Sequence, residues 1–187
     1  MSASTRRGSA GGILALVLFL AQCAAAGARS PLVSRIAAVG ADAETYRMTP
    51  ATVVAKLQPI VPLAADKPTA AEWTFSGAAP TAGVAWARAY FQKGNAPGKW
   101  EFLQLRLGLN PPDGDRRAFA DTLAAELTKR LGKVMAPASD ERARTRSWTL
   151  GKDRVVTVEE GMVENPLDDS RAPVVLVEIA IAQGESD

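Results

Sequence analysis

Residues 84–109, VAWARAYFQKGNAPGKWEFLQLRLGL, decide the fold of this chain. Side chains alternate in character over residues 84–92 and again over residues 100–109, with alanine, leucine or phenylalanine at every second position. A loop rich in Gly, Asn and Pro separates the two runs. Because successive side chains of a strand point to opposite faces of a sheet, two such runs around a turn-forming loop predict an antiparallel β-hairpin.

One face of the predicted hairpin combines aromatic rings with arginine and glutamine. If the hairpin pairs symmetrically about Ala96, Arg88 lies opposite Gln104, and the alanine and leucine side becomes core. Rings supply contact area and guanidinium groups supply directed hydrogen bonds, so the mixed face is typical of a binding surface. An alternative is that the N-terminal segment half-buries this face. The predicted ligand-binding residues are Trp86, Arg88, Tyr90, Trp100, Phe102 and Arg106.

The second pattern is an amphipathic helix over residues 115–132. Its apolar residues recur every four positions, at Phe119, Leu123, Leu127 and Leu131. This spacing places them on one face of a helix. Asp115 is a suitable N-cap residue, and Gly132 supplies the left-handed conformation that commonly ends a helix.

Shorter patterns add elements on both sides of these two. Thr49 and Pro50 predict the start of a short N-terminal helix, because Thr is a good N-cap and Pro suits the first helical position. Further strands are predicted at residues 72–75, 146–150, 154–159 and 174–182. The sequence therefore predicts an α+β fold: an antiparallel sheet of about five to six strands packed against one main amphipathic helix, with a short N-terminal helix.

The beginning of the chain has the organisation of an export signal. Two basic residues, Arg6 and Arg7, precede an apolar run at residues 13–20 and a stretch of small residues that ends at Ala28. This order is typical of a signal peptide that is cleaved after the small residues. We therefore predict a signal peptide over residues 1–28 and a periplasmic or secreted product.

The remaining chain is predicted to form one domain. About 159 residues remain after cleavage, which is enough to bury a single core. Residues 29–47 are rich in alanine with little periodicity and predict a flexible tether. Residues 48–183 are predicted to form the single α+β domain, and residues 184–187 a disordered tail.

A second processing route is open at Cys23. The sequence Leu20-Ala21-Gln22-Cys23 resembles the lipobox of bacterial lipoproteins, at which the chain is cut and the cysteine is acylated. Gln22 stands where that motif normally carries Gly, Ala or Ser. The resemblance implies, as an alternative localisation, a protein anchored to the membrane through a lipid on Cys23.

Charge and residue content exclude several classes of function. Loss of Arg6 and Arg7 with the signal reduces the 22 basic residues to 20, which equals the number of acidic residues. No basic footprint for nucleic acid remains. The chain has no His, and its one Cys lies inside the predicted signal. Ser-His-Asp triads, Cys-His dyads and imidazole metal ligands are therefore excluded, and we expect no metal and no cofactor.

These exclusions favour an exported, non-enzymatic bacterial domain that binds or scaffolds an envelope protein or a glycan. One alternative is a periplasmic hydrolase that uses carboxylate or tyrosine chemistry. A homo-oligomer is a further alternative, because Val174 and Leu176 on the last strand are apolar on the side opposite its main apolar row. Such a strand needs cover on both faces, from the N-terminal segment or from another subunit.

Overall fold

The computed structural model describes residues 30–47, 49–135 and 144–182, so the predicted signal peptide, Cys23 and the predicted tail lie outside the described residues. The seven strands of the described part are β1 (Ala64–Ala65), β2 (Glu72–Ala79), β3 (Val84–Lys93), β4 (Trp100–Leu109), β5 (Arg144–Leu150), β6 (Arg154–Glu164) and β7 (Arg171–Ile181). They form one antiparallel sheet in the order β1-β2-β3-β4-β7-β6-β5. The α+β class is confirmed, but the predicted strand count was too low. The two residues of β1 are too few to produce an alternating pattern.

Three α-helices accompany the sheet in the described residues, where the sequence predicted one main helix and a short one. They are α1 (Pro31–Gly40), α2 (Pro50–Leu57) and α3 (Arg116–Leu131), with 3-10 turns at Ala43–Arg47 and Pro80–Ala82. The caps of the two predicted helices form as expected. Asp115 Oδ1 accepts a hydrogen bond from Ala118 N at 2.9 Å, and Thr49 Oγ1 accepts one from Thr52 N at 3.4 Å.

All three helices bury apolar side chains against the same side of the sheet, which we call the helix face. The helices contribute, among others, Val33, Ile36, Val53, Leu57, Leu123 and Leu127 to this core. On the sheet, Ala89 pairs with Leu105 and Ala87 pairs with Leu107. The small residues of β3 therefore leave room beside the leucines of β4, as the sequence predicted.

The N-terminal segment differs from the flexible tether that the sequence predicted over residues 29–47. Its described part forms α1 and a 3-10 turn, and Ile36 and Tyr46 are each only 1% exposed. The Tyr46 hydroxyl donates a hydrogen bond to Val39 O at 2.9 Å, and burial raises the pKa of this phenol. The sequence did not predict α1, because small core residues such as Ala37 contribute little to an apolar pattern.

The β3–β4 hairpin is confirmed, but its register is not the symmetric one. Arg88 pairs with Arg106 instead of Gln104, and Tyr90 pairs with Gln104. A shift of two residues keeps each side chain on the expected face, because side chains alternate with a period of two.

A β-bulge then changes the face of the residues at the start of β4. Phe91 pairs with Phe102, so Leu103 is an extra residue between this pair and the pair formed by Tyr90 and Gln104. Phe102 consequently turns to the helix face. Its ring centroid lies 4.6 Å from that of Tyr46, which explains why Phe102 is buried there.

The other side of the sheet, which we call the open face, carries a second small core. Trp86 packs there with Val163, Val174 and Leu176, and Trp86 is only 2% exposed. Its indole lies against Gly108, where an added Cβ would come within 2.2 Å of the Trp86 ring. Within the chain, Val174 and Leu176 are therefore covered by neighbouring side chains of the sheet and not by the N-terminal segment, and the homo-oligomer stays a prediction.

The far ends of β6 and β7 extend beyond the part of β7 that pairs with β4. Their loop reaches the open face, where Pro166 O accepts a hydrogen bond from Arg88 Nη1 at 2.6 Å. Within the loop, Asp168 Oδ1 accepts hydrogen bonds from the Ser170 backbone and hydroxyl at 3.0 and 2.6 Å. These bonds hold the Asp168 pKa below its ordinary value and fix the shape of the loop.

Candidate functional site

The structure separates the six predicted ligand-binding residues into two groups. Four lie on the open face, namely Trp86, Arg88, Tyr90 and Arg106. Trp100 and Phe102 lie on the helix face, because the bulge at Leu103 reverses the side-chain order of β4 at its start. The prediction that these two share a face with Arg88 was therefore wrong, and their role in binding stays a prediction. Trp86 is on the predicted face, but its burial makes it part of a core rather than an exposed contact.

Arg88 and Arg106 are direct cross-strand neighbours on the open face. Arg106 is compensated, since its Nε lies 3.4 Å from Glu178 Oε2 and its guanidinium lies 5.7 Å from the Trp86 ring. Arg88 lies 5.2 Å from the Tyr90 ring and donates to Pro166 O. Among the described residues, no carboxylate forms an ion pair with Arg88. Arg88 is therefore a half-buried guanidinium for which the described residues supply no counter-charge.

Arg88 lines a cleft of about 510 Å³ on the open face. One wall consists of β2 and the segment before it, and the other consists of the β6–β7 loop at Pro166 and Leu167. The volume falls in the range of about 300–1,000 Å³ that is usual for small-molecule sites. Leu167 is an exposed leucine, so the rim also offers an apolar contact.

Hydrogen bonds hold the acidic wall of the cleft in place. Asp66 Oδ2 accepts hydrogen bonds from Thr74 Oγ1 at 2.7 Å and from Ser76 Oγ at 3.1 Å. Thr74 and Ser76 are alternate residues of β2 and point to the same face, so one carboxylate oxygen bridges both hydroxyls. The Asp66 backbone N–H also donates to Thr74 O at 2.9 Å. Asp66 is thus fixed by β2 although it lies outside that strand.

The charges that line the cleft balance but do not pair. Lys67 and Arg88 are cationic, and Asp66 and Glu72 are anionic. Within the described part of the chain, none of the four forms an ion pair. Each charge that lines the cleft without a protein partner can accept a ligand group of the opposite sign. Such a cavity suits a polar ligand whose own charges are separated.

A second concave surface lies on the helix face beside the β3–β4 loop. Trp73 and Trp100 are both half-buried there, with ring centroids 5.7 Å apart and planes at 61°. They line a groove of about 470 Å³ with Pro50 and Pro97. We call it the tryptophan groove. Two cations also line the groove, and each is paired: Lys99 with Glu101 at 3.3 Å and Arg47 with Glu44 at 3.0 Å.

Sequence reasoning placed Arg88 on the open face but did not predict the residues that line the cleft with it. The alternation of Thr74 and Ser76 on a strand was a usable signal for a polar face. No local pattern marks Asp66 or Pro166, because their place depends on contacts between distant parts of the chain. In the ranges that the structure describes, no group of three or more acidic, Cys or His side chains could hold a metal ion.

Comparisons with protein-family models, with curated proteins and with solved structures find no match for this chain. None of the helices described is long and apolar enough to cross a membrane.

Proposed function

We propose that this chain is an exported, non-enzymatic binding domain of the bacterial cell envelope, and that the cleft beside Arg88 holds its ligand. The observation that carries the proposal is the state of Arg88. This guanidinium is half-buried, faces a like charge on Arg106 and has no carboxylate partner among the residues described. Its position at the wall of a cavity gives it a role as a ligand contact.

Electrostatics supports this reading. Like charges directly opposite each other on two strands lower stability, by roughly 0.2–1 kcal/mol. Arg88 Nε is also buried without a hydrogen-bond partner, a feature that it shares with Arg106 Nε and Arg154 Nε and that does not by itself distinguish it. Sites that keep such an unfavourable group commonly use it for binding, because a bound counter-charge offsets the energy that folding alone does not recover. A ligand with an anionic group would supply the charge that Arg88 lacks.

The test measures which envelope molecules the protein retains. The protein is purified from cells that produce the full chain, equilibrated with a small-molecule extract of bacterial envelope, washed, and analysed by mass spectrometry. We expect at least one molecule to be retained by the wild type and lost from Arg88→Gln. Arg106→Gln, which removes the neighbouring charge outside the cleft, is the matched control and should retain it. Equal retention by all three proteins would contradict the proposal.

A glycan ligand in the tryptophan groove is a second candidate, favoured by the half-buried rings of Trp73 and Trp100. Aromatic faces offer flat apolar surface on which sugar rings stack. Tryptophan fluorescence during titration with cell-wall glycan fragments tests this candidate. A change that Trp100→Ala abolishes and Arg88→Gln preserves would support it, and an unchanged spectrum would contradict it.

Export is the remaining part of the proposal and depends on the sequence of residues 1–28. Mass spectrometry of the processed N-terminus distinguishes the two routes. Cleavage by the ordinary signal peptidase would leave Arg29 as the first residue, whereas lipoprotein processing would leave an acylated Cys23. An intact Met1 in the envelope fraction would contradict both.

A further inference from the structure

We infer that the ligand of the Arg88 cleft carries both a carboxylate and an ammonium group, as a free amino acid or a short peptide does. This inference rests on the proposed function, because it assigns the chemistry of the same cleft. It follows from two charged groups of opposite sign, Arg88 and Asp66, that line the cavity without contacting each other.

Arg88 is suited to hold the carboxylate of such a ligand. Its Nη1 is occupied by Pro166 O, which fixes the guanidinium at the wall of the cleft. Its Nη2 has no partner among the residues that the structure describes. A carboxylate on Nη2 would form a charge-assisted hydrogen bond and neutralise a cation that lies opposite Arg106.

Asp66 is suited to hold the ammonium group. Its Oδ2 already accepts the hydroxyls of Thr74 and Ser76, which keep the carboxylate in one orientation. Its Oδ1 accepts no hydrogen bond from any described residue. Glu72 also lines the cleft and is exposed like Asp66, but no hydrogen bond in the described part of the chain orients its side chain. A fixed acceptor discriminates between ligands better than a mobile one.

The neutral charge balance of the cleft favours a dipolar ligand over a simple anion. Lys67 and Arg88 would attract phosphate, but Asp66 and Glu72 would repel it from the same cavity. A molecule with one charge of each sign satisfies both walls. The volume of about 510 Å³ accommodates either a single amino acid or a short peptide.

Calorimetric titration of the purified protein with simple probes tests this inference. The zwitterions are glycine, diglycine and triglycine, which differ in the separation of their two charges. The N-acetyl form of each keeps the carboxylate alone, and the amide form keeps the ammonium alone. Inorganic phosphate serves as the simple anion. We expect one zwitterion to bind at least about tenfold more tightly than its acetylated form, its amide and phosphate. The preferred length distinguishes a free amino acid from a peptide.

Two variants identify which side chain binds the carboxylate of the ligand and which binds its ammonium group. Arg88→Gln should bind the preferred zwitterion and its amide equally, because only the carboxylate contact is lost. Asp66→Asn, which keeps an oxygen acceptor for Thr74 and Ser76, should bind the zwitterion and its acetylated form equally. Glu44→Gln is the matched carboxylate control, because Glu44 is exposed, pairs with Arg47 and lies outside the cleft, and it should keep the wild-type preference.

Two results would overturn the inference. Phosphate or an acetylated form that binds as tightly as every zwitterion would identify an anion site. Failure of all the glycine-series probes to bind would exclude an amino acid or short peptide. Neither result removes the proposed function if an envelope molecule is still retained in an Arg88-dependent manner, so the two failures are distinguishable.

Discussion

Arg88 on β3 and Arg106 on β4 lie directly opposite each other, and of these two only Arg106 has a carboxylate partner in the described structure, Glu178 on β7. The symmetric hairpin predicted from the sequence would have placed each arginine opposite an uncharged residue. The actual register creates a like-charge pair on the open face beside a cleft. This relationship is the basis of the proposed binding site.

Removal of Arg88 should change the stability of the fold little. Arg88→Gln loses a hydrogen bond to Pro166 O but relieves the repulsion from Arg106. We therefore expect the free energy of unfolding, measured by denaturant titration, to change by less than about 1 kcal/mol.

Arg154→Gln is the control for that measurement. The Arg154 side chain is buried, pairs with Asp153 at 2.9 Å and donates to Tyr46 O at 3.1 Å. Its loss should lower the free energy of unfolding by about 1–3 kcal/mol, because the buried Tyr46 carbonyl is left without its hydrogen-bond donor. Equal losses of unfolding free energy in the two variants would show that Arg88 stabilises the fold as much as Arg154 does.

The bulge in β4 predicts unequal effects of two adjacent substitutions. Phe102 is buried against Tyr46, so Phe102→Ala should lower the free energy of unfolding by about 3–5 kcal/mol. Leu103 is only partly buried, and Leu103→Ala should lower it by at most about 2 kcal/mol. A larger effect at Leu103 would indicate the symmetric register instead.

The close contact between Trp86 and Gly108 predicts that a single methyl group disrupts the open-face core. In Gly108→Ala the new Cβ would lie within 2.2 Å of the indole, so the ring must move. We expect destabilisation of about 1–3 kcal/mol and a shift in tryptophan fluorescence. Gly40→Ala is the matched control, because its Cβ would be 3.6 Å from the nearest heavy atom, on Leu127. It should leave stability unchanged or raise it by up to about 1 kcal/mol.

Acid should weaken the attachment of the N-terminal segment through Asp42. Hydrogen bonds from Lys56 Nζ at 2.8 Å and Thr45 Oγ1 at 2.7 Å hold the Asp42 pKa below its ordinary value of 3.8. Ionised Asp42 therefore contributes stability above the unfolded pKa, and this contribution is lost as the pH falls through the folded pKa.

Unfolding of the wild type and Asp42→Asn at a series of pH values checks this expectation. The wild type should be more stable by a constant amount above about pH 5, and the difference should close as the pH falls below about 4. A difference that stays constant at low pH would show that the ionisation of Asp42 does not contribute.

Local sequence patterns predicted which helices and strands form better than they predicted the register in which the strands pair. The helix α3 and the hairpin follow periodicities that any short window of sequence contains, and both are present. The bulge at Leu103 has no local signal. It exists because Phe102 fills a space beside Tyr46, and Tyr46 comes from a segment that sequence reasoning left unfolded.

The candidate site was predictable only in part for the same reason. Arg88 could be placed on the open face by alternation along β3. Its contact with Pro166 spans 78 residues, and the hydrogen bond between Asp66 and Ser76 needs the chain to turn before β2. Tertiary contacts, not local propensity, create the cavity between these residues.

Backbone amide chemical shifts, recorded by NMR during addition of the envelope extract, test the central claim most directly. Binding in the Arg88 cleft predicts shifts at Ser76, Arg88 and Leu167, which line or adjoin it, and unchanged amides at Ala51 and Gly98 in the tryptophan groove. Shifts confined to Ala51 and Gly98, or no shift at any of the five amides, would contradict the account.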